Sequence, residues 1–285
     1  MKKVLTITVL ILCGLSINVK AKADYGLGLI PSDAAIASQY RANGHVLDVP
    51  LPSSVDLSTW LPSIGDQRGQ ASCVGWSLAY YYKTCQENRE RGWGTSIPEH
   101  RFSPSWVYNQ RAIHDREGMT LPEGFDILLK GAASEAMFSY DPNDSHTQPS
   151  QRICNLSVPY RIIDYRNVFH GRGTANLERL KALLASGEPF ALAVPVYDSF
   201  FAKPENVPKH TLGEQLYGYH SLLVVGYDDG SQTFKAANSW GLNWGVEGYV
   251  FLSYDFVRHD AIEAWTMQDH IVSCQTWLPI VVSYE

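Results

Sequence analysis

The stretch that decides the fold is Gln67-Arg68-Gly69-Gln70-Ala71-Ser72-Cys73. Its glycine-bounded first part breaks any helical or strand periodicity and predicts a turn. Ser72 is a residue type that caps helices, and the mostly apolar run after it predicts a central helix from Cys73 to about Glu87. Cys73 would then lie in the first helical turn, where unpaired N–H groups and the helix dipole favour a thiolate and lower the pKa of a thiol.

Two segments far downstream carry polar side chains next to predicted strands. Tyr219-His220-Ser221 opens an apolar strand, which would hold the imidazole rigidly. The turn signal Asp228-Asp229-Gly230-Ser231 then predicts a hairpin, and Asn238 follows its second strand. The amide of Asn238 can accept a hydrogen bond from the ring N–H of His220, and the indole of Trp240 can keep water from that bond.

A thiol, an imidazole and an amide in these positions predict acyl transfer by a cysteine nucleophile. Cys73 would attack the carbonyl carbon, while His220 would keep the thiol ionised and protonate the leaving amine. The side-chain amide of Gln67, six residues before Cys73, would join the Cys73 backbone N–H in an oxyanion hole. The predicted catalytic residues are therefore Cys73, His220, Asn238 and Gln67.

These segments resemble those of the papain-like cysteine peptidases, for which a Cys-His-Asn arrangement is typical. The resemblance spans roughly residues 51–252 and rests on three blocks in the family's order: Gln67–Cys73, Tyr219–Tyr227, and Asn238–Gly245 followed by Glu247–Tyr249. It implies a member of a divergent bacterial branch that hydrolyses peptide bonds through a thioester at Cys73. Peptides or proteins are then the expected substrates.

The sequence departs from the family pattern near the nucleophile and in one loop. The aromatic residue that the family places after the nucleophile is Val74 here. The nearest equivalent of the family's Cys-Asn-Gly-Gly loop is Arg116-Glu117-Gly118-Met119. By this resemblance Gly118 would bind the substrate backbone. Trp240 and Trp244 are the other predicted substrate-binding residues, and a place in the core is the alternative for Trp244.

The sequence predicts an α+β fold of the papain-like type. A helical left subdomain (about 66–160) and an antiparallel, β-barrel-like right subdomain (about 161–285 plus 51–65) would enclose an active-site cleft. Residues 24–50 form a short leader, with a predicted helix at 32–40, that either packs permanently on the fold or masks the cleft. The other predicted helices are Pro104–Ala112, Pro122–Ala133 and a helix capped by Asn176 and stopped by Gly187; the predicted strands are Phe190–Val196, Leu222–Tyr227, Thr233–Ala237 and Tyr249–Leu252.

The N-terminus has the pattern of a secretory signal peptide. Lys2 and Lys3 precede an apolar run from Val4 to Ile17, and Ala21-Lys22-Ala23 predicts cleavage before Asp24. A membrane anchor is the alternative, but the run is shorter than the roughly 20 residues that a spanning helix needs. The mature chain would begin at residue 24 and be secreted, either periplasmic or extracellular in a bacterium, with no membrane association after cleavage.

Composition excludes several classes of protein and partner. The 285 residues are 45% hydrophobic and 18% charged, with a net charge of −6, which fits a globular domain and not a disordered chain. Basic residues are scattered, so no nucleic-acid partner is predicted. The histidines lack metal-ligand spacing, so no metal or cofactor is predicted. A monomer is expected, and a protein inhibitor is left open as a partner.

Two other functions remain open from the sequence. Another thiol acyl-transfer enzyme, such as a cell-wall amidase or a transglutaminase, would use a similar Cys-His pair. A non-catalytic binding module could keep the fold, although retention of all four predicted catalytic residues argues against it. Besides the nucleophile, the mature chain contains Cys85, Cys154 and Cys274, which allow one disulfide bond at most.

Overall fold

The structure is a computed structural model and describes residues 25–41, 50–113 and 116–269. The predicted signal peptide and Cys274 lie outside the described residues. No helix in these three ranges is long and apolar enough to span a membrane.

Helices dominate the first half of the chain. The central helix α2 begins at Cys73 and is α-helical over Cys73–Gly75, π-helical over Trp76–Lys83 and α-helical again over Thr84–Arg91. The remaining α-helices are α1 (Ala34–Gln39), α3 (Pro104–Tyr108), α4 (Leu121–Leu128), α5 (Gln151–Ser157), α6 (Leu177–Ala185), α7 (Asp198–Ala202) and α8 (Tyr254–His259). Short 3-10 turns cover Ser58–Trp60, Pro98–His100 and Val158–Tyr160.

Local sequence signals explain where several helices begin and end. Asp33 caps α1, and Thr120 forms a capping box with Glu123 at the start of α4. Gly92 ends α2 in the left-handed conformation, with a φ of 61° that glycine adopts without strain. Ser72 does not cap α2 through its side chain as predicted, because its hydroxyl is hydrogen-bonded to the hydroxyl of Tyr140.

The strands form one antiparallel sheet. They are β1 (Ser54–Asp56), β2 (Ile162–His170), β3 (Phe190–Tyr197), β4 (Leu216–Asp228), β5 (Thr233–Ala237), β6 (Tyr249–Ser253) and β7 (Glu263–Asp269). Their order is β2-β7-β3-β4-β5-β6, and β1 pairs with β4. Within the described ranges β2 and β6 lie at the two ends of this order and do not pair with each other. The sheet is therefore open and does not close in the β-barrel-like form that the sequence predicted.

The structure confirms the predicted α+β class, although several element bounds differ. β5 has the predicted bounds, and α3 and α4 end several residues before the predicted positions. The sequence analysis missed β2 and β7, which pair with each other. Their charged and amide side chains mask the alternation typical of a half-buried strand.

The sheet separates two hydrophobic clusters. Side chains alternate across β3 and β4, so that Ala193 and Leu223 face the cluster around α2 while Val194 and Leu222 face the cluster under α6 and α8. The first residue of α2 is itself part of the first cluster. Helix α2 therefore packs on the sheet with its N-terminus next to β4, where the predicted histidine lies.

Candidate active site

Cys73 lies at the start of α2, beneath the loop that precedes this helix. The residue is completely buried. The backbone of Ser221, the residue after His220 on β4, is hydrogen-bonded to its thiol, and so is the backbone of Gly28 in the leader. The nucleophile segment and the histidine strand, which are far apart in the sequence, therefore meet at the sulfur atom.

His220 and Asn238 form a hydrogen-bonded pair. Pairing of Leu223 with Ala237 aligns β4 and β5, and it brings His220 Nε2 to 2.7 Å from Asn238 Oδ1. The same Oδ1 accepts a bond from the backbone N–H of Ser239, so the amide oxygen faces both donors. Because this oxygen carries no proton, Nε2 must donate. In a neutral ring, Nδ1 is then the basic nitrogen, and it has no partner in the described part of the chain.

Gln67 is fixed from the opposite side of the cleft. Its backbone N–H donates to Ser239 O at 2.8 Å, and its Oε1 accepts from the hydroxyl of Ser239 at 2.5 Å. These bonds turn Nε2 toward the cleft, where it donates to Gly26 O and Gln70 O. Ser239, the residue after Asn238, therefore orients the side-chain amide of Gln67, the predicted oxyanion donor.

The two predicted tryptophans are both buried in the second core cluster, but their neighbours differ. The Trp240 ring lies 4.6 Å from the His220 ring, between centroids, and covers the histidine–asparagine pair. Trp244 packs edge-on behind Trp240 and stacks on Phe200. Trp244 is therefore part of the second core cluster, which favours the core alternative over a substrate-binding role.

The leader occupies the cleft. Gly26 N–H donates to Arg68 O at 2.9 Å, and Gly26 O accepts from the Nε2 of Gln67 at 3.0 Å and from the indole of Trp240. The leader also reaches the residue before His220, because Leu29 N–H donates to Tyr219 O. Its backbone thus bonds to both sides of the cleft at the predicted catalytic residues.

Two glycines allow this close approach. A Cβ atom on Gly28 would lie 1.9 Å from Ala71 O, and one on Gly26 would lie 2.2 Å from Gln70 O. Any side chain would therefore push the leader off the nucleophile segment. The alternation of glycine with Tyr25, Leu27 and Leu29 is a signal for this contact that the sequence analysis did not use.

The predicted substrate-binding glycine also contacts the leader. Gly118 has a φ of 82°, and a Cβ atom there would lie 2.3 Å from Gly28 O. The next residue, Met119, donates its N–H to Gly28 O at 2.8 Å and accepts from Ile30 N–H at 3.0 Å. This loop therefore pairs with an extended backbone that lies in the cleft.

A polar anchor holds the C-terminal end of the extended leader. Ser32 donates from its N–H at 3.1 Å and from its hydroxyl at 2.9 Å to the buried carboxylate of Glu263. The ring of His170 contacts Ser32 O at 3.0 Å. Farther along, Asn167 N–H on β2 donates to Tyr40 O. The leader thus runs from Trp240 to β2, across the predicted site.

Burial governs the ionisation of Cys73 and His220. Burial raises the pKa of the Cys73 thiol to about 11, although backbone hydrogen bonds from Ser221 and Gly28 act in the opposite direction. Burial also lowers the pKa of His220 to about 4, against the effect of its bond to Asn238. The covered site therefore holds a neutral thiol and a neutral imidazole. The lowered thiol pKa predicted from the helix start does not apply to this covered state, because water is excluded from the sulfur.

A cavity of about 640 Å³ opens beside the nucleophile segment. The backbone of Gly69, Gln70 and Ala71 forms one side, and Tyr108 and Glu117 line another. The cavity therefore adjoins both Cys73 and the Gly118 loop. Its lining contains the positive side chains of Arg68 and Arg111 and the negative side chain of Glu117.

The described cysteines form no disulfide bond. Cys73, Cys85 and Cys154 are all free thiols, and Cys274 lies outside the described ranges. Burial raises the pKa of Cys85 to about 12, so this thiol is held protonated in the core. Of the described cysteines, Cys73 is the one whose thiol is hydrogen-bonded to the backbone of the histidine strand, at Ser221.

Comparisons with known proteins agree on one family. The family described as papain family cysteine protease matches residues 109–268, more than half of the chain. An uncharacterized peptidase C1-like protein of Acanthamoeba polyphaga mimivirus is 27% identical over 272 residues, which are 88% of this chain and 86% of that protein.

Solved structures are similar over most of the chain. Xylellain, a cysteine protease from Xylella fastidiosa, is 27% identical and has a TM-score of 0.73, covering 86% of this chain and 96% of its own. Procathepsin B from Trypanosoma congolense, at 18% identity and a TM-score of 0.66 over 88% of each chain, shares the fold. With these matches and the site geometry, the chain belongs to the papain family of cysteine proteases and is a hydrolase.

Proposed function

We propose that the protein cleaves peptide bonds through a thioester at Cys73, with His220 as acid and base, Asn238 as its orienting residue and Gln67 in the oxyanion hole. The observation that carries this assignment is the 2.7 Å bond between His220 Nε2 and Asn238 Oδ1, which leaves Nδ1 as the basic nitrogen of a neutral ring, on the strand whose next residue, Ser221, contacts the Cys73 thiol. Membership of the family supports peptides or proteins as the substrate class.

The reaction follows from these positions once the cleft is open. His220 Nδ1 takes the thiol proton, and Sγ of Cys73 attacks the carbonyl carbon of the scissile bond. The developing oxyanion accepts hydrogen bonds from Gln67 Nε2 and from the Cys73 backbone N–H. The C–N bond then breaks, and the imidazolium donates its proton to the leaving amine, so that an acyl thioester remains.

Hydrolysis of the thioester uses the same groups. A water molecule gives a proton to His220 Nδ1 and attacks the thioester carbonyl, and the second tetrahedral intermediate uses the same oxyanion donors. Collapse breaks the C–S bond, releases the carboxylic acid and returns the proton to Cys73. Asn238 holds the ring orientation through both steps.

The leader is an internal cover of this site in the proposed function. Its carbonyl at Gly26 accepts a hydrogen bond from Nε2 of Gln67, the predicted oxyanion donor, and the Gly28 backbone is hydrogen-bonded to the thiol of Cys73. A substrate needs both groups. The protein would therefore be inactive while the leader is docked, which is the cleft-masking alternative of the sequence analysis.

We also propose how the chain is divided into units and where the protein is located. The proposed units are a signal peptide (1–23), the leader (24–50) and one peptidase domain (51–285) with its helical and β subdomains. Export from a bacterial cell, to the periplasm or the medium, rests on the charged, apolar and small-residue order of the first 23 residues. A monomer is proposed, and an inhibitor protein remains open as a partner.

A comparison of substrates tests the activity. Purified protein should degrade casein and leave peptidoglycan fragments intact, whereas a cell-wall amidase would do the reverse. A second test removes the leader: protein that begins near residue 51 should cleave casein faster than protein that begins at residue 24. Equal rates would contradict the covering role but leave the peptidase assignment intact.

A further inference from the structure

Three consecutive tyrosines, Tyr80, Tyr81 and Tyr82, lie in the π-helical part of α2. All three are buried, and each hydroxyl makes a hydrogen bond outside the helix. The hydroxyl of Tyr80 donates to Ser63 O at 3.0 Å, and that of Tyr82 accepts from Met267 N–H at 3.2 Å. As side chains of a central helix, these tyrosines are expected to contribute to packing, and the mechanism above uses none of them.

The hydroxyl of Tyr81 lies between two catalytic segments. It donates to the backbone carbonyl of Asn238 at 2.7 Å and accepts from the N–H of Gly65 at 3.1 Å. Gly65 is two residues before Gln67, the proposed oxyanion donor. One buried hydroxyl therefore connects the asparagine that orients His220 with the loop that carries the oxyanion glutamine.

The bond to Asn238 has more effect on the site than the bond to Gly65. The Gly65 loop has other contacts with the asparagine segment, since Gly65 O accepts from Gly241 N–H and Gln67 N–H donates to Ser239 O. At Asn238 the backbone N–H donates to Gly248 O, and the Tyr81 hydroxyl fixes the carbonyl. The two bonds together set where Oδ1 stands relative to the imidazole.

We propose that Tyr81 is a positioning residue, which holds Asn238 so that its Oδ1 keeps His220 aligned with Cys73. This inference rests on the proposed function of these three residues. Replacement by phenylalanine removes the hydroxyl and keeps the ring, so the asparagine carbonyl loses its donor while the packing of α2 stays filled. Asn238 can then shift by a fraction of an ångström, and the imidazole loses its fixed direction.

The experiment compares Tyr81→Phe with Tyr82→Phe in the full chain. Tyr82 is the matched control, because its hydroxyl is equally buried but bonds to β7, far in sequence from the catalytic segments. Hydrolysis of a fluorogenic peptide that the wild type cleaves gives kcat and KM. Rates are normalised to the Cys73 thiol titrated in each preparation, so that partial unfolding lowers the enzyme concentration and leaves kcat unaffected.

We expect Tyr81→Phe to lower kcat by about tenfold with little change in KM, since misplacement by a full ångström costs on the order of a hundredfold. Tyr82→Phe should retain the wild-type kcat. The acidic limb of the rate profile should also move to lower pH in Tyr81→Phe, because a weaker bond from Nε2 to Asn238 stabilises the imidazolium less, and His220 then stays a neutral base to lower pH.

A double-mutant cycle separates positioning from general loosening. In an Asn238→Ala background the Tyr81→Phe change should have almost no further effect on kcat, because no side-chain amide remains to be positioned. An equal loss in both backgrounds, or an equal loss in Tyr82→Phe, would overturn the positioning role while leaving the peptidase assignment intact. A wild type that cleaves no peptide, with a Cys73 that stays unreactive after leader removal, would overturn both.

Discussion

The two sides of the cleft hold their catalytic groups in different ways. On the β side, His220 and Asn238 are 18 residues apart, and the register of one hairpin brings them together. On the helical side, Gln67 lies in a loop that pairs with the asparagine segment at a single bridge, between Asp66 and Trp240, and its amide is oriented by Ser239, 172 residues away. Local strand pairing thus sets one pair, whereas long-range contacts across the cleft set the other.

This difference implies that a single substitution displaces the side chains of the two sides to different degrees. Backbone hydrogen bonds hold β4 and β5 together at many residues. A single substitution on either strand should therefore leave the register of the pair unchanged. The glutamine loop is held from the opposite side by two backbone bonds, to Ser239 and Gly241, and by one side-chain bond from the Ser239 hydroxyl. We therefore expect the position of the Gln67 amide to be more sensitive to substitutions elsewhere in the fold than the pairing of β4 with β5 is.

The largest effect is expected from the nucleophile itself. Cys73→Ala should lower hydrolysis by more than about 10,000-fold, because the group that forms the thioester is gone. The fold should remain, since alanine fills most of the volume of a buried cysteine. Peptide cleavage and thermal unfolding measure the two quantities. Cys85→Ala, at the other fully buried thiol, is the control and should keep its activity. Cleavage by Cys73→Ala at the wild-type rate would refute the mechanism.

The second effect distinguishes the oxyanion donor from the nucleophile. Gln67→Ala should lower kcat by roughly 100- to 1000-fold, because one of two oxyanion hydrogen bonds is lost. Alkylation of Cys73 by iodoacetamide should continue at no less than the wild-type rate, since the thiol and His220 are unchanged. Parallel loss of hydrolysis and alkylation would mean that Gln67 supports the fold of this side and not the transition state.

The third effect concerns the leader, which bonds to both sides. In Gly28→Ala the new Cβ would overlap Ala71 O, and overpacking of about 1–3 kcal/mol should raise the open fraction roughly 10- to 100-fold. Alkylation of Cys73 should accelerate accordingly. In the covered state the thiol is protonated below its pKa of about 11, so wild-type alkylation should rise with pH, and Gly28→Ala should move that rise to lower pH.

A matched change in the leader checks this interpretation. Ile36→Ala alters an exposed residue of α1 and should leave the alkylation rate and its pH dependence as in the wild type. If Gly28→Ala behaves like Ile36→Ala, the leader does not limit access to the thiol.

The smallest effect is expected from a hydrogen bond between α2 and β4. The Ser77 hydroxyl on α2 lies 2.6 Å from that of Ser221 on β4, and both residues are buried. Ser77→Ala should lower the free energy of unfolding by about 1 kcal/mol, the value of a typical buried hydrogen bond. Urea denaturation measures this loss. A change in kcat as large as that of Gln67→Ala would contradict the comparison above, because one hydrogen bond would then control the position of β4.

The sequence was sufficient for much of the β side. Strand periodicity and the Asp228–Ser231 turn located β4 and β5, and the hairpin they form accounts for the hydrogen bond between His220 and Asn238. Such pairing is encoded over short distances, because a turn type and an alternation of side chains together set the register. The helix start at Cys73 was likewise visible as a turn followed by an apolar run.

Other features required the tertiary structure. The edge strand β2 and its partner β7 carry mixed polar residues, and some of their polar side chains bond to groups that are distant in the sequence, such as Ser32 for Glu263. The ionisation of Cys73 could not be predicted from the sequence either, because burial in the folded chain raises the pKa of this thiol and outweighs the effect of the helix start. The sequence by itself determined the family, and the proposed catalytic residues and their chemistry follow from its motifs. Tertiary structure alone decided that the leader lies across them, because that contact depends on backbone atoms of Gly26 and Gly28 meeting the chain some 40 residues away.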